Sequence, residues 1–144
     1  MSDFERIPAG EDDPLRRALE RAGLPTDDLE APGRAFFRLA DGLGPIGYVG
    51  LEQAGEDALL RSLVVVHGRR ASGHGARLVA EVERVARSDG TMRLHLLTTD
   101  AAPFFRRLGY RDAPRAEAPP AIAATAQFTS LCPSSATYLI KDFA

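Results

Sequence analysis

A chain of 144 residues suits one domain with a hydrophobic core, and its 44% hydrophobic and 26% charged residues are those of an ordinary globular protein. A net charge of −2 offers no electrostatic footprint for nucleic acid or an anionic membrane, and a single cysteine excludes an internal disulfide framework. No apolar run approaches the roughly 20 residues of a bilayer span, and the acidic start MSDFERIPAGEDD lacks the basic-then-apolar order of a signal peptide, so cytoplasm is the expected compartment.

Phe4 to Ile7 reads as a short first strand. Asp12-Asp13-Pro14 opens a helix with an acidic cap and a first-turn proline; Leu15, Ala18, Leu19 and Ala22 share one face and Gly23 ends it. Leu24-Pro25-Thr26 is a turn, and Asp27 to Glu30 adds a helical turn. Three strands follow as an antiparallel meander: Ala35 to Ala40, Ile46 to Glu52, and Ala58 to Val66. Turn chemistry at Asp41-Gly42-Leu43-Gly44 and at Gln53 to Asp57 joins them. The run Leu63-Val64-Val65-Val66 is apolar and mostly β-branched, as a buried strand should be. A loop, Arg69-Arg70-Ala71-Ser72-Gly73-His74-Gly75, leads to a helix from about Gly75 with Leu78, Val79, Val82, Val85 and Ala86 in one apolar stripe. The first N–H groups of that helix have no partner inside it. With the helix dipole they form an anion site, most naturally for a phosphate.

Asp89-Gly90 stops this helix, and Met92 to Thr98 is the next strand. Reached through a helical crossover, it should run parallel to the strand before. Thr99-Asp100 caps a short helix over Ala101 to Leu108, Gly109 ends it, and Tyr110 begins a further strand. Ala113 to Ala124 is loop with short helical turns from about Pro120, and Ala136 to Lys141 is the last strand. This order predicts a mixed sheet with helices on both faces, an α/β layer fold in one domain over residues 1–144.

Among phosphate-binding loops, Gly-x-Gly-x-x-Gly fails because position 78 is Leu78, and the Gly-x-x-x-x-Gly-Lys-[Ser/Thr] loop fails for want of a lysine. The pattern present is Arg-x-x-Gly-x-Gly, at Arg70, Gly73 and Gly75, after a strand reading Leu63-x-Val65. It resembles the pyrophosphate loop of the GCN5-related N-acetyltransferases (GNAT). Ala102-Pro103-Phe104-Phe105-Arg106-Arg107-Leu108-Gly109-Tyr110 resembles a later motif of the same family, Ala-x-x-x-Tyr-x-x-x-Gly-Phe. The resemblance implies the acyl-CoA N-acyltransferase (GNAT) fold, a mixed, mostly antiparallel sheet with two splayed central parallel strands, here Leu63–Val66 and Leu94–Thr98. It implies acetyl-coenzyme A as cofactor, held by Leu63, Val64, Val65, Arg70, Ala71, Ser72, Gly73, His74, Gly75, Ala76, Thr98 and Phe105. A small-molecule amine is the implied acceptor, and a homodimer is compatible with it.

Two departures matter. Phe105 stands where many members carry the tyrosine that protonates the departing thiolate, and Leu59 stands where many carry a glutamate base. The family's acid–base assignments therefore do not carry over. What remains is alignment of a thioester and stabilisation of its developing oxyanion. A backbone N–H at Val64 or Val65, as in similar proteins, serves the second need. We carry Val65, Ser62 and Thr98 as the catalytic candidates. Arg61 either holds a substrate carboxylate in bidentate fashion or faces outward from a half-exposed strand. Thr99 is the candidate helix cap and also a substrate contact. Ser130 and Cys132, in the polar cluster before the last strand, either line the acceptor pocket or form a capped turn. His67 and His95 have no acidic or cysteine partner at ligand spacing, so no metal site is expected.

The stretches LLTTDAAPFFRRLGY, APPAIAATAQF and FTSLCPSS resemble a narrower subgroup, the acetyltransferases encoded with arsenic-resistance genes. That resemblance implies an amino-acid-like organoarsenical, such as arsinothricin, or a glutamate analogue as acceptor. The competing reading is a non-catalytic acyl-CoA-binding or metalloid-sensing module of the same fold, motivated by Leu59, Phe105 and Cys132. A protein N-terminal acetyltransferase is a third.

Overall fold

The computed structural model describes residues 3–8, 10–11, 13–29, 31–66, 68–69, 73–131 and 135–143, without the side chains of 130 and 131. In chain order the elements are β1 (Asp3–Arg6), α1 (Asp13–Arg21), β2 (Arg34–Asp41), β3 (Gly44–Ala54), β4 (Asp57–Val65), α2 (His74–Ser88), β5 (Arg93–Thr98), α3 (Ala102–Arg107), β6 (Arg111–Asp112), α4 (Pro120–Ala123) and β7 (Thr137–Asp142). A 3₁₀ turn covers Arg115–Glu117, and one wide helical turn with π-type bonding covers Gln127–Leu131. The sequence reading had placed only loop and a polar turn at the second of these.

The strands form one sheet in the order β1-β2-β3-β4-β5-β7-β6. All neighbouring pairs are antiparallel except β4 and β5, which are parallel. The α2 crossover between β4 and β5 enforces that one parallel pair.

Each face of the sheet is covered by a stripe that its sequence periodicity dictates. On one face Leu78, Val79, Val82 and Ala86 of α2 pack with Ala58, Leu60, Leu94, Leu96, Leu139 and Phe105. On the other, Leu15 and Leu19 of α1 pack with Leu29, Phe36, Tyr48 and Val64. Simple alternation along β4 would put Val64 on the same face as Ala58 and Leu60. It lies on the opposite face because the β3–β4 register shifts by one residue between the Gly50–Arg61 and Tyr48–Val64 pairs. The extra residue forms a β-bulge, and within it Ser62 has φ +58, the only non-glycine residue with positive φ among those described.

β4, β5 and β7 are bolted together through one buried side chain. His95 is fully buried; its Nε2 lies 2.7 Å from Asp57 Oδ1 and its Nδ1 2.6 Å from the Tyr138 hydroxyl. The sequence spacing gave His95 no acidic partner, but the parallel register brings Asp57 of the adjacent strand to it. Burial lowers the histidine's pKa, with the Asp57 bond opposing it in part. The consistent arrangement is a neutral ring that donates from Nε2 to Asp57 and accepts the Tyr138 proton at Nδ1. Burial in turn pushes the Tyr138 hydroxyl up to about 12.

A histidine depressed in the folded state stabilises the fold fully above its unfolded value, near 6.5, and that contribution drains away as pH falls through the folded value. Unfolding stability should therefore drop between about pH 7.5 and about pH 5.5, and His95→Gln should flatten that part of the profile. Urea titrations of both chains at the two pH values check this; an equal drop in the variant would remove His95 as the cause.

Candidate active site

The parallel ladder between β4 and β5 has three rungs, Asp57–Arg93, Ala58–Leu94 and Leu59–His95. Beyond them the strands pair only outward, β4 with β3 and β5 with β7. A cleft of about 390 Å³ opens where the strands part, lined by Leu60 to Leu63 of β4, Leu96 to Thr98 of β5, the rim residues Thr99 to Ala101, Phe105, Gln127, Ala136, and Gly23 to Pro25 of the α1–β2 loop.

Just past Leu63, the last β4 residue of the cleft wall, a backbone donor turns toward the side that β5 has left. Val66 donates its N–H to the Ile46 carbonyl at 2.8 Å, and the Tyr48–Val64 pair lies on the same side of β4. Antiparallel pairing alternates, so the intervening Val65 N–H points away from β3, toward the side from which β5 has departed. That is one of the two positions the resemblance had implied.

Below the cleft, α2 begins at Gly73, which has φ +74 and ψ +20, a left-handed conformation that suits glycine. No side chain caps this end and its first turn carries no acidic residue. The N–H groups of the first turn therefore keep their full affinity for an anion. Gly75 has a different role. A Cβ there would lie 3.2 Å from the ring of Phe104, so its absence lets α3 pack tightly on α2. His74 and Ala76 are half-buried in this turn. Arg70, Ala71 and Ser72 lie outside the described residues, as does His67. Arg69 anchors the loop start by an ion pair to Asp41, whose carboxyl that bond, with the Leu43 N–H, holds below its ordinary pKa.

Arg61 is where structure and expectation part. Its side chain is 1% exposed, and its fork is taken by Asp28, with Nη1–Oδ2 at 2.5 Å and Nη2–Oδ1 at 2.6 Å. Glu52 Oε1 lies 3.4 Å from Nη1, and Nε donates to Ser62 Oγ at 3.2 Å. Arg34 closes the cluster, 3.1 Å from Asp28 and 3.4 Å from Glu52. Neither a free carboxylate clamp nor an outward arginine describes this residue: it ties the α1–β2 loop to the bulge. Burial alone would raise the Asp28 pKa, but hydrogen bonds and charge from Arg61 and Arg34 outweigh it and hold the carboxyl below its usual value. The signal available in the sequence was Asp28 itself, 33 residues before Arg61 and outside the motif strand.

Ser62 lines the cleft with an oxygen that already accepts from Arg61, so its proton is available to a ligand. Thr98 lines it too, and its Oγ1 accepts the Ala101 N–H at 3.0 Å, which holds the turn into α3; no side chain caps that helix, so the capping expected of Thr99 is not seen. Thr99 stands exposed on the rim beside Asp100. Phe105 is buried, edge-on to Phe104 and Tyr110, and contributes an apolar wall. Leu59 is buried at the last rung. Asp100, Gln127 and the Gly23–Pro25 loop were missed by the sequence reading; Asp100 was treated only as part of a cap. Ser130 has no described side chain, and Cys132 lies outside the described residues, so the structure gives no placement for either side chain. No group of three His, Cys, Asp or Glu side chains among the described residues could hold a metal ion. No helix among them is long and apolar enough to cross a membrane.

Comparison with known proteins agrees with this geometry. A curated mouse protein, N-alpha-acetyltransferase 80, is 42% identical over 53 residues, a segment covering 37% of this chain and 17% of that protein. N-acetylglutamate synthase from Neisseria gonorrhoeae, complexed with coenzyme A and N-acetyl-glutamate, superposes with a TM-score of 0.81 at 22% identity, over 100% of this chain and 35% of that one. A GNAT-family acetyltransferase from Staphylococcus aureus MU50 superposes over 100% of both chains with a TM-score of 0.76 at 17% identity. This chain thus spans well under two thirds of the mouse and gonococcal proteins. The family model for the acetyltransferase (GNAT) domain matches residues 32–112, more than half of the chain, from β2 through the parting strands and α2 to β6. The chain belongs to the GNAT acetyltransferase family, whose enzymes use acetyl-coenzyme A.

Proposed function

We propose that this chain acetylates the primary amine of a small, amino-acid-like acceptor, using backbone donors and positioning in place of a dedicated acid–base pair. The observation that carries this reading is the Val65 N–H, turned away from β3 toward the side that β5 has left, just past a cleft whose wall includes Phe105, which cannot exchange protons; Leu59, at the last shared rung, cannot either. Bound acetyl-coenzyme A supplies the activated acyl group, a thioester whose thiolate leaves readily near neutral pH because thiol pKa values lie near ~8.5.

In this reading the amides of Gly73, His74, Gly75 and Ala76 hold the cofactor's diphosphate, with Arg70, Ala71 and Ser72 completing the loop. Leu63, Val64, Val65 and Phe105 guide its arm into the wedge, and the Val65 N–H stabilises negative charge on the carbonyl oxygen. Ser62 and Thr98 give hydroxyl contacts beside the reacting carbon, and Thr99 binds the acceptor at the rim. Asp100 attracts the acceptor's ammonium group, and water carries away the proton that the amine gives up. The narrower acceptor is an organoarsenical amino acid or a glutamate analogue. It is supported by LLTTDAAPFFRRLGY and APPAIAATAQF, which supply Thr98, Thr99, Asp100, Phe105 and Gln127 to the cleft lining. The N-acetyl-glutamate held by the gonococcal neighbour adds glutamate to the acceptors worth testing. Ser130 and Cys132 remain proposed substrate contacts on sequence grounds alone.

Thiol release from acetyl-coenzyme A tests this with glutamate, arsinothricin, a simple alkylamine and a short peptide bearing a free N-terminus. Release is expected with the amino-acid-like amines. Release with the peptide alone would replace the acceptor class, and confirmed cofactor binding without release from any amine would overturn the enzymatic reading. Asp100→Asn should raise KM for the best acceptor about fivefold with kcat little changed, because a rim charge contributes binding in high dielectric. For the cofactor loop, Gly73→Asn and Gly73→Asp both tolerate left-handed backbone and differ in charge. Calorimetry should show coenzyme A bound at least about tenfold more weakly by the aspartate variant, as one added negative charge near a diphosphate requires. Equal affinities would remove the diphosphate from this helix end.

A further inference from the structure

A second pocket, of about 250 Å³, lies outside the wedge between α1 and the ends of β3 and β4. Arg17 and Arg21 of α1 stand over it. Their i,i+4 spacing puts them on one helical face with Cβ atoms about 6 Å apart, where like charges destabilise a helix. Both are exposed, and neither forms an ion pair among the described residues. Asp13, a turn before Arg17, leaves it unpaired, whereas the neighbouring Arg16 is spent on the Thr26 carbonyl.

Beneath the two cations sits Tyr48. The residue is 3% exposed overall, and its hydroxyl, bonded to no described residue, is not among the buried unpartnered atoms and so opens to the pocket. Burial raises its pKa, so it stays a neutral donor, while the charges of Arg38 and Arg17 act in the opposite direction and place Arg17 within electrostatic reach. The rest of the lining is apolar: Pro14, Ala18, Pro45, Val64, Val66 and Val65, whose backbone N–H turns toward the parted strands.

Two guanidinium groups and a phenol over aliphatic walls are the recognition chemistry of a carboxylate on a short carbon stem. The pocket adjoins the wedge. Leu63 lines one and Val64 the other, and Arg21 of the pocket is followed within two residues by Gly23 of the cleft. We infer that this pocket is a carboxylate subsite in which Arg17, Arg21 and Tyr48 hold the acid end of the acceptor, beside the wedge that takes its amine. The inference rests on the acceptor reading proposed above and gives it a specific basis: selectivity for amines that carry an acid.

Calorimetric titration of the full chain with glutarate, which has the acid and stem but no amine, tests the subsite without turnover. Glutarate should bind the wild type. The double variant Arg17→Gln/Arg21→Gln should weaken it at least about tenfold, and Tyr48→Phe by a few fold, the scale of lost hydrogen bonds to a charged group. Coenzyme A affinity should be unchanged throughout. No glutarate binding, equal binding by the double variant, or inorganic phosphate binding as tightly as glutarate would each overturn the proposal. Kinetics then separate this proposal from the acetyl-transfer reading. In the double variant KM for glutamate should rise while that for the alkylamine stays put. An unmoved KM for glutamate, with glutarate binding weakened, would detach the pocket from the acceptor and overturn the inference while leaving acetyl transfer intact.

Discussion

The parting of β4 and β5 beyond the Leu59–His95 rung is the constraint on which the site depends. Two parallel strands in the middle of a sheet would ordinarily pair along their length, since an unpaired buried amide costs about 1–3 kcal/mol. Here pairing stops after three rungs, and several features keep it from resuming. The bulge at Ser62 redirects β4 and exchanges the faces of its side chains. β7 occupies the far edge of β5 through six paired residues, from Arg93–Asp142 to Thr98–Thr137, and holds it on its own course. His95, bonded to Asp57 and Tyr138, fixes the last shared rung. The Val65 N–H, turned away from β3 with no strand on its other side, is the consequence.

Charge organises the other wall. Asp28, Glu52, Arg34 and Arg61 form a cluster of two acids and two bases with little access to water. A buried ion pair is weak support for stability in itself, because desolvation offsets most of the attraction. Its use here is geometric. It fastens the loop that carries Gly23 to Pro25 to the strand that carries Ser62, so cleft wall and bulge move together. On the opposite side of the sheet, Glu83 accepts from Tyr110 at 2.8 Å and from Lys141 at 3.0 Å, and Lys141 also holds the Leu108 carbonyl at 2.9 Å. The turn after α3 is thereby tied to α2 and β7, which keeps Phe105 in place.

Much of the fold was legible because its signals are local. The apolar stripe from Leu78 to Ala86, the Asp89-Gly90 stop and the β-branched run before the loop each follow from periodicity or turn chemistry, and the elements fall within a few residues of expectation. The parallel pair followed from the helical crossover. What stayed hidden is non-local. Nothing near Arg61 in sequence announces Asp28, 33 residues away, nor near His95 the carboxylate of Asp57, 38 residues away. The bulge was invisible because Arg61-Ser62-Leu63 alternates like any strand, and the strain at Ser62 appears only once Tyr48 and Gly50 are seen to pair on either side of it. Asp100 was read through its capping propensity, but no side chain caps α3.

Amide hydrogen exchange of Val64, Val65 and Val66, read by NMR with and without acetyl-coenzyme A, tests the central claim most directly. In the free protein the Val65 amide should exchange about a hundredfold faster than those of Val64 and Val66, which are bonded to β3, and the cofactor should slow it toward theirs. Equal protection of all three amides in the free protein, or a Val65 amide that the cofactor leaves unchanged, would contradict the account.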